Sequence, residues 1–222
     1  VYISRSYHGV PNFKGQDLVE WLNRDVYFKK YLPSGNDVYV DIGCGYGHEL
    51  IYIAKRSPDV KILGIEANQE VITYCSANTS KFNNITLANK MIGQETSYTI
   101  PFSADYAGKG LNDEGQLEVE GQSFDEILLS HNIEIIDLLK LNVEGGEKEI
   151  IENLPFEKVK RLVISCHDFR YERGEDSFYR TYDAVCERLR YEDYIIEKVN
   201  PDYIPNSSWE KSLNYWIFAE KQ

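Results

Sequence analysis

The sequence lacks a long apolar run, clustered cysteines and an excess of positive charge, and each absence excludes a class of function. Its apolar stretches fall well short of the roughly 20 residues that cross a bilayer, so no membrane span is expected. Cys44, Cys75, Cys166 and Cys186 show no CxxC spacing, which suits buried thiols in a reducing compartment better than disulfides or zinc. The histidines form no HExxH pair, and no metal is expected. No signal-peptide pattern follows Val1, so the expected location is cytoplasmic. Lysine and arginine number 24 against 36 acids, a net charge of -12. A general nucleic-acid binder needs a basic face to displace counterions from phosphates. Here Arg170, Arg173, Arg188 and Arg190 are interleaved with acids, and no nucleic-acid partner is expected.

What is present is an alternation of strand and helix signals. A chain of 222 residues suits one α/β domain spanning 1–222, with an N-terminal helical segment over 1–35. Residues 15–31 place Leu18, Trp21, Leu22, Val26 and Phe28 at helical spacing, until Pro33 and Gly35 break the pattern. Strands are predicted at "DVYVDI", "VKILGIEAN" and "NITLANKMIG", separated by helices at "HELIYIAKRS" and "QEVITYCSANTSKF". An inserted hairpin and loop is read over 94–122, from "TSYTIPF" and "QLEVEG". Ser123 and Glu126 then form a capping box ahead of the next helix. "IEIIDLLKLNV" and "VKRLVISCHDF" are further strands, with a helix between them. A helix at "SFYRTYDAVCERLR" precedes a closing antiparallel pair, "YIIEKV" with "LNYWIFAEK". The alternation predicts a doubly wound, mostly parallel sheet with an antiparallel C-terminal strand and helices on both faces.

The first strand ends in Asp41-Ile-Gly43-Cys-Gly45-Tyr-Gly47, and the second ends at Glu66. Glycines at a strand end let the backbone approach a ligand at the carboxyl edge of the sheet. A dinucleotide fingerprint needs a third glycine where His48 stands, and no P-loop stretch exists. His48 is instead read as packing or cofactor-proximal at the start of the helix, and not as catalytic.

Asp41-x-Gly-x-Gly-x-Gly resembles the first motif of class I S-adenosylmethionine-dependent methyltransferases, which have a Rossmann-like fold. "IDLLKLNVEGGE" is similar to the "DLLKIDVEGAE" signature of the FkbM-type members. "FKGQDLVEWL", "ITLANKMIG", "SFDEIL" and "RLVISCHDF" follow the family's order over residues 13–168. The resemblance implies S-adenosyl-L-methionine as cofactor and a hydroxyl on a sugar, glycolipid or secondary metabolite as methyl acceptor. The partner expected is thus a small-molecule or glycosidic acceptor.

Electrostatics agrees with that resemblance, since the cofactor's ammonium and sulfonium favour nearby carboxylates that would repel a pyrophosphate. The cofactor is expected to touch Asp41, Gly43, Gly45, Tyr46, Glu66, Ala67, Asn89, Met91 and Asn142, with Glu66 on the ribose hydroxyls and an adenine near Asn89 and Met91. Asn142 departs from the family's aspartate, and an amide cannot act as a base. An amine acceptor, or a non-catalytic cofactor-binding subunit, are the alternatives this departure supports.

Catalytic candidates are His167, Glu144 and Asn142. His167 is the expected general base, because its ordinary pKa lies near neutrality. Glu144 is read as either a site residue or a helix cap, and Glu147 as a cap complementing the helix dipole. Gln16 and Tyr7 are candidates for a lid. The aromatics Tyr171, Tyr179, Tyr182, Tyr203, Tyr215, Trp209 and Trp216 are candidates for stacking on an acceptor. Loops 103–115 and 201–212 are the expected specificity segments.

Overall fold

The computed structural model describes residues 15–94, 97–101, 116–204 and 211–222. The main sheet joins β1 (Val38–Ile42), β2 (Lys61–Ile65), β3 (Ile85–Ala88), β7 (Leu138–Leu141), β8 (Arg161–Ser165), β9 (Tyr194–Lys198) and β10 (Trp216–Lys221). Their order across the sheet is β3-β2-β1-β7-β8-β10-β9. Strands β1, β2, β3, β7 and β8 are parallel, and β10 runs antiparallel to both its neighbours. The near-continuous apolar sequences of β1, β2, β7 and β8 follow from this arrangement, because a parallel sheet is covered on both faces.

One face packs Val40, Ile42, Leu139 and Leu141 against Phe124, Ile127, Ile150 and Leu189. The other packs Tyr39, Ile62, Leu138 and Phe218 against Leu18, Trp21, Tyr27, Leu50 and Ile53. The chain leaves β1 towards β2 and β3, then returns on the opposite side through β7 and β8. The carboxyl ends of β1 and β7 therefore flank the switch point at which open α/β sheets bind ligands.

The connecting helices are α2 (His48–Arg56), α3 (Gln69–Thr79), α4 (Phe124–Ser130), α5 (Glu147–Glu152), α6 (Asp168–Glu172) and α7 (Tyr182–Tyr191). The side chain of Asn68 accepts from the N–H groups of Glu70 and Val71 and so starts α3. The capping box read from Ser123 and Glu126 is present at α4.

Several elements differ from the sequence reading. The first helix is split into α1 (Gly15–Trp21) and a π-helical turn, Leu22–Tyr27. Val26, Tyr27 and Phe28 are all buried, which is wider than an α-helical stripe covers, and the π-turn presents them together. Asn23, also buried, steadies the junction by donating its amide to the Val19 carbonyl at 2.8 Å.

The third predicted strand divides. Residues Ile85–Ala88 join the main sheet, while β4 (Met91–Ile92) joins a small sheet ordered β4-β6-β5. Asn89 causes the break, its amide donating to the carbonyls of Glu66 at 2.8 Å and Ala67 at 2.9 Å. In that sheet β5 (Ser97–Pro101) pairs antiparallel with β6 (Gln116–Gln122). The loop 103–115 lies outside the described residues.

The predicted helix at 177–190 is a 3-10 turn, Ser177–Tyr179, followed by α7, and α6 precedes both. Asp168 sets the bend, since its Oδ2 accepts from the N–H groups of Thr181 at 3.1 Å and Tyr182 at 2.9 Å. The predicted closing pair β9 and β10 is antiparallel, with β10 inserted between β8 and β9. The four cysteines are buried and unbridged. Among the described residues, no helix is long and apolar enough to cross a membrane.

Candidate active site

The glycine turn after β1 is held open by backbone geometry. Gly43, Gly45 and Gly47 have φ of 78°, 53° and 79°, the left-handed region that favours glycine. The N–H groups of Gly43 and Cys44 both donate to the Ile65 carbonyl, tying the end of β1 to the end of β2. Close approach explains Gly43 in particular. A Cβ there would lie 2.0 Å from the Asn142 carbonyl oxygen, at the end of β7.

Glu66 is the carboxylate hydrogen-bonded to this turn. Its Oε2 accepts from Gly45 N–H at 3.1 Å and its Oε1 from Asn68 N–H at 2.9 Å. Burial pushes its pKa up, while these amides oppose the shift. Each carboxylate oxygen keeps capacity for a further donor. Tyr46 sits within the turn, its carbonyl accepting from the Asn78 amide at 3.0 Å and its ring set edge-on to His48 and Tyr74. His48 is buried on the first turn of α2. The Asn89 amide and the Ala67 carbonyl are bonded to each other, and Met91 lies half-buried on β4 beyond them.

Asp41 is fully buried, and both its oxygens have protein partners. Oδ1 takes Lys140 Nζ at 3.0 Å, from the residue in register on β7, and Oδ2 takes the Tyr39 hydroxyl at 2.9 Å. Burial raises its pKa to about 6 against the pull of Lys140, and Glu49, buried on the first turn of α2, pushes in the same direction as burial. A ligand would therefore meet Asp41 mainly as part of a buried field that also includes Lys140 and Glu49.

The opposite wall is the corner that follows β7. Glu144 has φ 56° and Gly145 has φ 112°. A left-handed conformation at a non-glycine residue costs about 1–2 kcal/mol and needs surrounding contacts to persist. His167 and Arg170 supply them, with Nε2 of His167 at 3.3 Å from Glu144 Oε1 and Nη1 of Arg170 at 2.9 Å from Oε2. Burial opposes charge on Glu144, yet these two cations hold its carboxyl below the usual range.

Glu147 stands on the first turn of α5, where an acid complementing the helix dipole was expected. It is fully buried and lies at the centre of the corner. Its Oε1 is 2.6 Å from His167 Nδ1 and accepts from Gly145 N–H at 3.1 Å, while its Oε2 accepts from the Thr181 hydroxyl at 3.0 Å. Burial disfavours a charge on His167, but Glu144 and Glu147 overcome it and raise the pKa to about 10. The imidazole is therefore protonated at neutral pH, with each ring nitrogen facing a carboxylate. General-base work does not fit it in this state, because a base must be neutral before it can accept a proton.

The same shift predicts a pH dependence of stability. The native state holds the His167 proton up to about pH 10, whereas an unfolded histidine releases it near 6.5. The stabilisation is complete below about pH 6.5 and falls away as pH rises through about 10. Urea melts between these limits are expected to show a downward slope that His167→Gln reduces; equal slopes would contradict the assignment.

The remaining candidates are dispersed. Tyr179 is buried under Arg170, whose guanidinium lies 4.1 Å from the ring centroid, and Tyr215 packs edge-on to Tyr182. Trp216 is buried in β10, while Tyr171 and Tyr203 are exposed. Tyr7, Trp209 and the side chain of Gln16 lie outside the described residues, as does part of loop 201–212. Among the described residues, no cluster of three His, Cys, Asp or Glu side chains is arranged for a metal ion.

Sequence reasoning missed Tyr27, Glu49, Lys140 and Arg170. Only Lys140 carried a signal, as a lone charge inside the apolar strand "LLKL".

Comparison with known proteins agrees with this geometry at the level of fold. A family model described as "Putative methyltransferase" matches residues 35–96, the segment from the approach to β1 through β4. The tRNA (guanine-N(7)-)-methyltransferase of Clostridium novyi is 28% identical over 85 residues, which is 37% of this chain and 39% of that protein. The chain thus matches about two fifths of that relative's length. The precorrin-6y C5,15-methyltransferase of Geobacter metallireducens superposes on 100% of this chain and 94% of its own, with a TM-score of 0.52 at 16% identity. A Streptococcus mutans protein solved in complex with SAH superposes on 92% of this chain and 96% of its own, with a TM-score of 0.50 at 10% identity. The fold is the α/β, Rossmann-like fold of methyltransferases.

Proposed function

We propose that this protein is an S-adenosylmethionine-dependent methyltransferase acting on a hydroxyl of a small-molecule or glycosidic acceptor. One observation carries the cofactor reading: Glu66 is buried at the end of β2, held by Gly45 and Asn68, directly beside the glycine turn. Its free acceptor capacity suits the paired hydroxyls of a ribose. Asp41 and Glu49 outnumber Lys140 in the buried field behind the turn, which favours a ligand bearing positive charge over a pyrophosphate. The residues present therefore fit S-adenosylmethionine. When bound, that group supplies an activated methyl on a sulfonium, so acceleration comes largely from positioning the acceptor.

The acceptor class rests on the FkbM resemblance of Ile136–Glu147. The protein's part on this side is a rigid corner. In this reading Asn142 and Glu144 line it, and His167 is a positioning residue that restrains Glu144 through its charge. The tRNA guanine-N7 reading is favoured by the Clostridium novyi match, but that match is partial, and a net charge of -12 disfavours binding to a phosphate backbone.

Calorimetry with S-adenosylhomocysteine and with NAD tests the cofactor; micromolar binding of the first and none of the second are expected. Methyl transfer from labelled S-adenosylmethionine to sugars, phenols, amines and unmodified tRNA then tests the acceptor. Label appearing in tRNA or amines alone would overturn the hydroxyl reading.

A further inference from the structure

A buried donor and a buried acceptor near Asn142 lack partners, and together they describe a missing group. The Asn142 side-chain amide donates from Nδ2 to the Tyr27 hydroxyl oxygen at 3.4 Å. Its Oδ1 is buried with no hydrogen-bond partner. The Tyr27 hydroxyl accepts this one long bond, and its own proton goes to no described group. Leaving such groups unpaired in the interior is costly, so a native site that keeps them unpaired points to an absent partner, a ligand group or a water.

The polarity of the missing group follows from counting. With the amide as placed, a ligand meets the Tyr27 O–H and the second Nδ2–H as donors and Asn142 Oδ1 as acceptor. Turning the amide over leaves the two Nδ2–H groups as donors and the Tyr27 oxygen as acceptor, so both polarities remain. A hydroxyl, which donates once and accepts, satisfies either arrangement. A carboxylate or phosphate satisfies only the donor, and an ammonium only the acceptor.

Tyr27 is well placed for this work. The π-turn carries its ring into the core, where it stacks on Trp216 at 5.1 Å between centroids, with Lys140 Nζ 4.8 Å from its centre. Burial and the nearby carboxylates of Glu49, Asp41 and Glu144 keep its hydroxyl protonated far above the ordinary range. Its oxygen thus lies near both the acids behind the glycine turn and the Glu144 corner. The Asn142 backbone meanwhile abuts Gly43.

We propose that Tyr27 and Asn142 form a two-point seat for the neutral hydroxyl of the methyl acceptor. This rests on the methyltransferase reading and deepens it. The seat orients the oxygen, and neither side chain serves as a base.

Ethylene glycol, the smallest diol, is the probe. Crystals of wild type and Tyr27→Phe are soaked with it, with and without S-adenosylhomocysteine. In wild type, one glycol oxygen is expected within about 2.6–3.2 Å of both Tyr27 Oη and the Asn142 amide. In Tyr27→Phe, which keeps the stacked ring, that glycol is expected to be lost. Glycol-soaked wild-type crystals that keep the Tyr27–Asn142 bond and admit no glycol oxygen to it, or that hold water there with glycol elsewhere, would overturn the seat. Glycol persisting unchanged in Tyr27→Phe would mark an adventitious additive only and overturn it equally. Absence of S-adenosylhomocysteine binding by calorimetry would instead defeat the cofactor reading, so the two failures are distinguishable.

Discussion

Glu147→Ala is expected to destabilise the protein by about 3–5 kcal/mol, the range for breaking a buried charge pair from one side. The substitution strips His167 Nδ1 of its 2.6 Å partner and leaves the Gly145 N–H and the Thr181 hydroxyl without their carboxylate. His167 would then keep only Glu144, at 3.3 Å, which is already shared with Arg170. Glu147→Gln restores the volume and one acceptor oxygen for the Gly145 N–H, while its Nε2 can only donate towards Thr181 and the charge is gone, so it should recover part of the loss. Its histidine should also titrate well below the native value of about 10. Urea denaturation with an NMR titration of His167 checks both. A loss under 1 kcal/mol in Glu147→Ala would show that the corner is not held by this charge cluster.

Gly43→Ala is expected to abolish S-adenosylhomocysteine binding, with affinity falling at least about 100-fold, or about 2.7 kcal/mol. Two costs combine. An alanine at φ 78° is strained by about 1–2 kcal/mol. Its Cβ would also stand 2.0 Å from a backbone carbonyl oxygen, which no rotamer change can relieve. Either the glycine turn or the Asn142 corner must move, and the two walls of the site separate. Gly35→Ala is the control, because φ is again left-handed at 56° but a Cβ meets nothing within 4 Å. It should cost about 1 kcal/mol and leave binding unchanged. Calorimetry on both variants decides the matter; wild-type affinity in Gly43→Ala would remove the close approach from the account.

The fold was largely legible because parallel sheets impose a local pattern. Strands such as Val38–Ile42 and Arg161–Ser165 must be apolar on both faces, and helices must turn polar on one side. The glycine turn was legible for the same reason, since only glycine supports its left-handed φ at a strand end. Glu66 was legible by its place at the end of the next strand. The split of the third strand at Asn89 was not, because its cause is a side-chain amide bonding carbonyls more than twenty residues earlier. The π-turn at Leu22–Tyr27 was also hidden, since its hydrophobic spacing differs from an α-helix only through what it packs against.

The chemistry of individual site residues divides along the same line. Residue types and order by themselves determined a doubly wound sheet, a glycine turn at its carboxyl edge without a phosphate loop, and a carboxylate beside it. Tertiary structure alone decided the charge of His167, which reads as an ordinary histidine until Glu144 and Glu147 are folded onto its two nitrogens. It also decided that Asp41 is spent on Lys140 and Tyr39, and that Tyr27 reaches Asn142 across 115 positions of sequence. A protonation state is set by burial and by charges within a few ångströms, and chain order does not encode those distances.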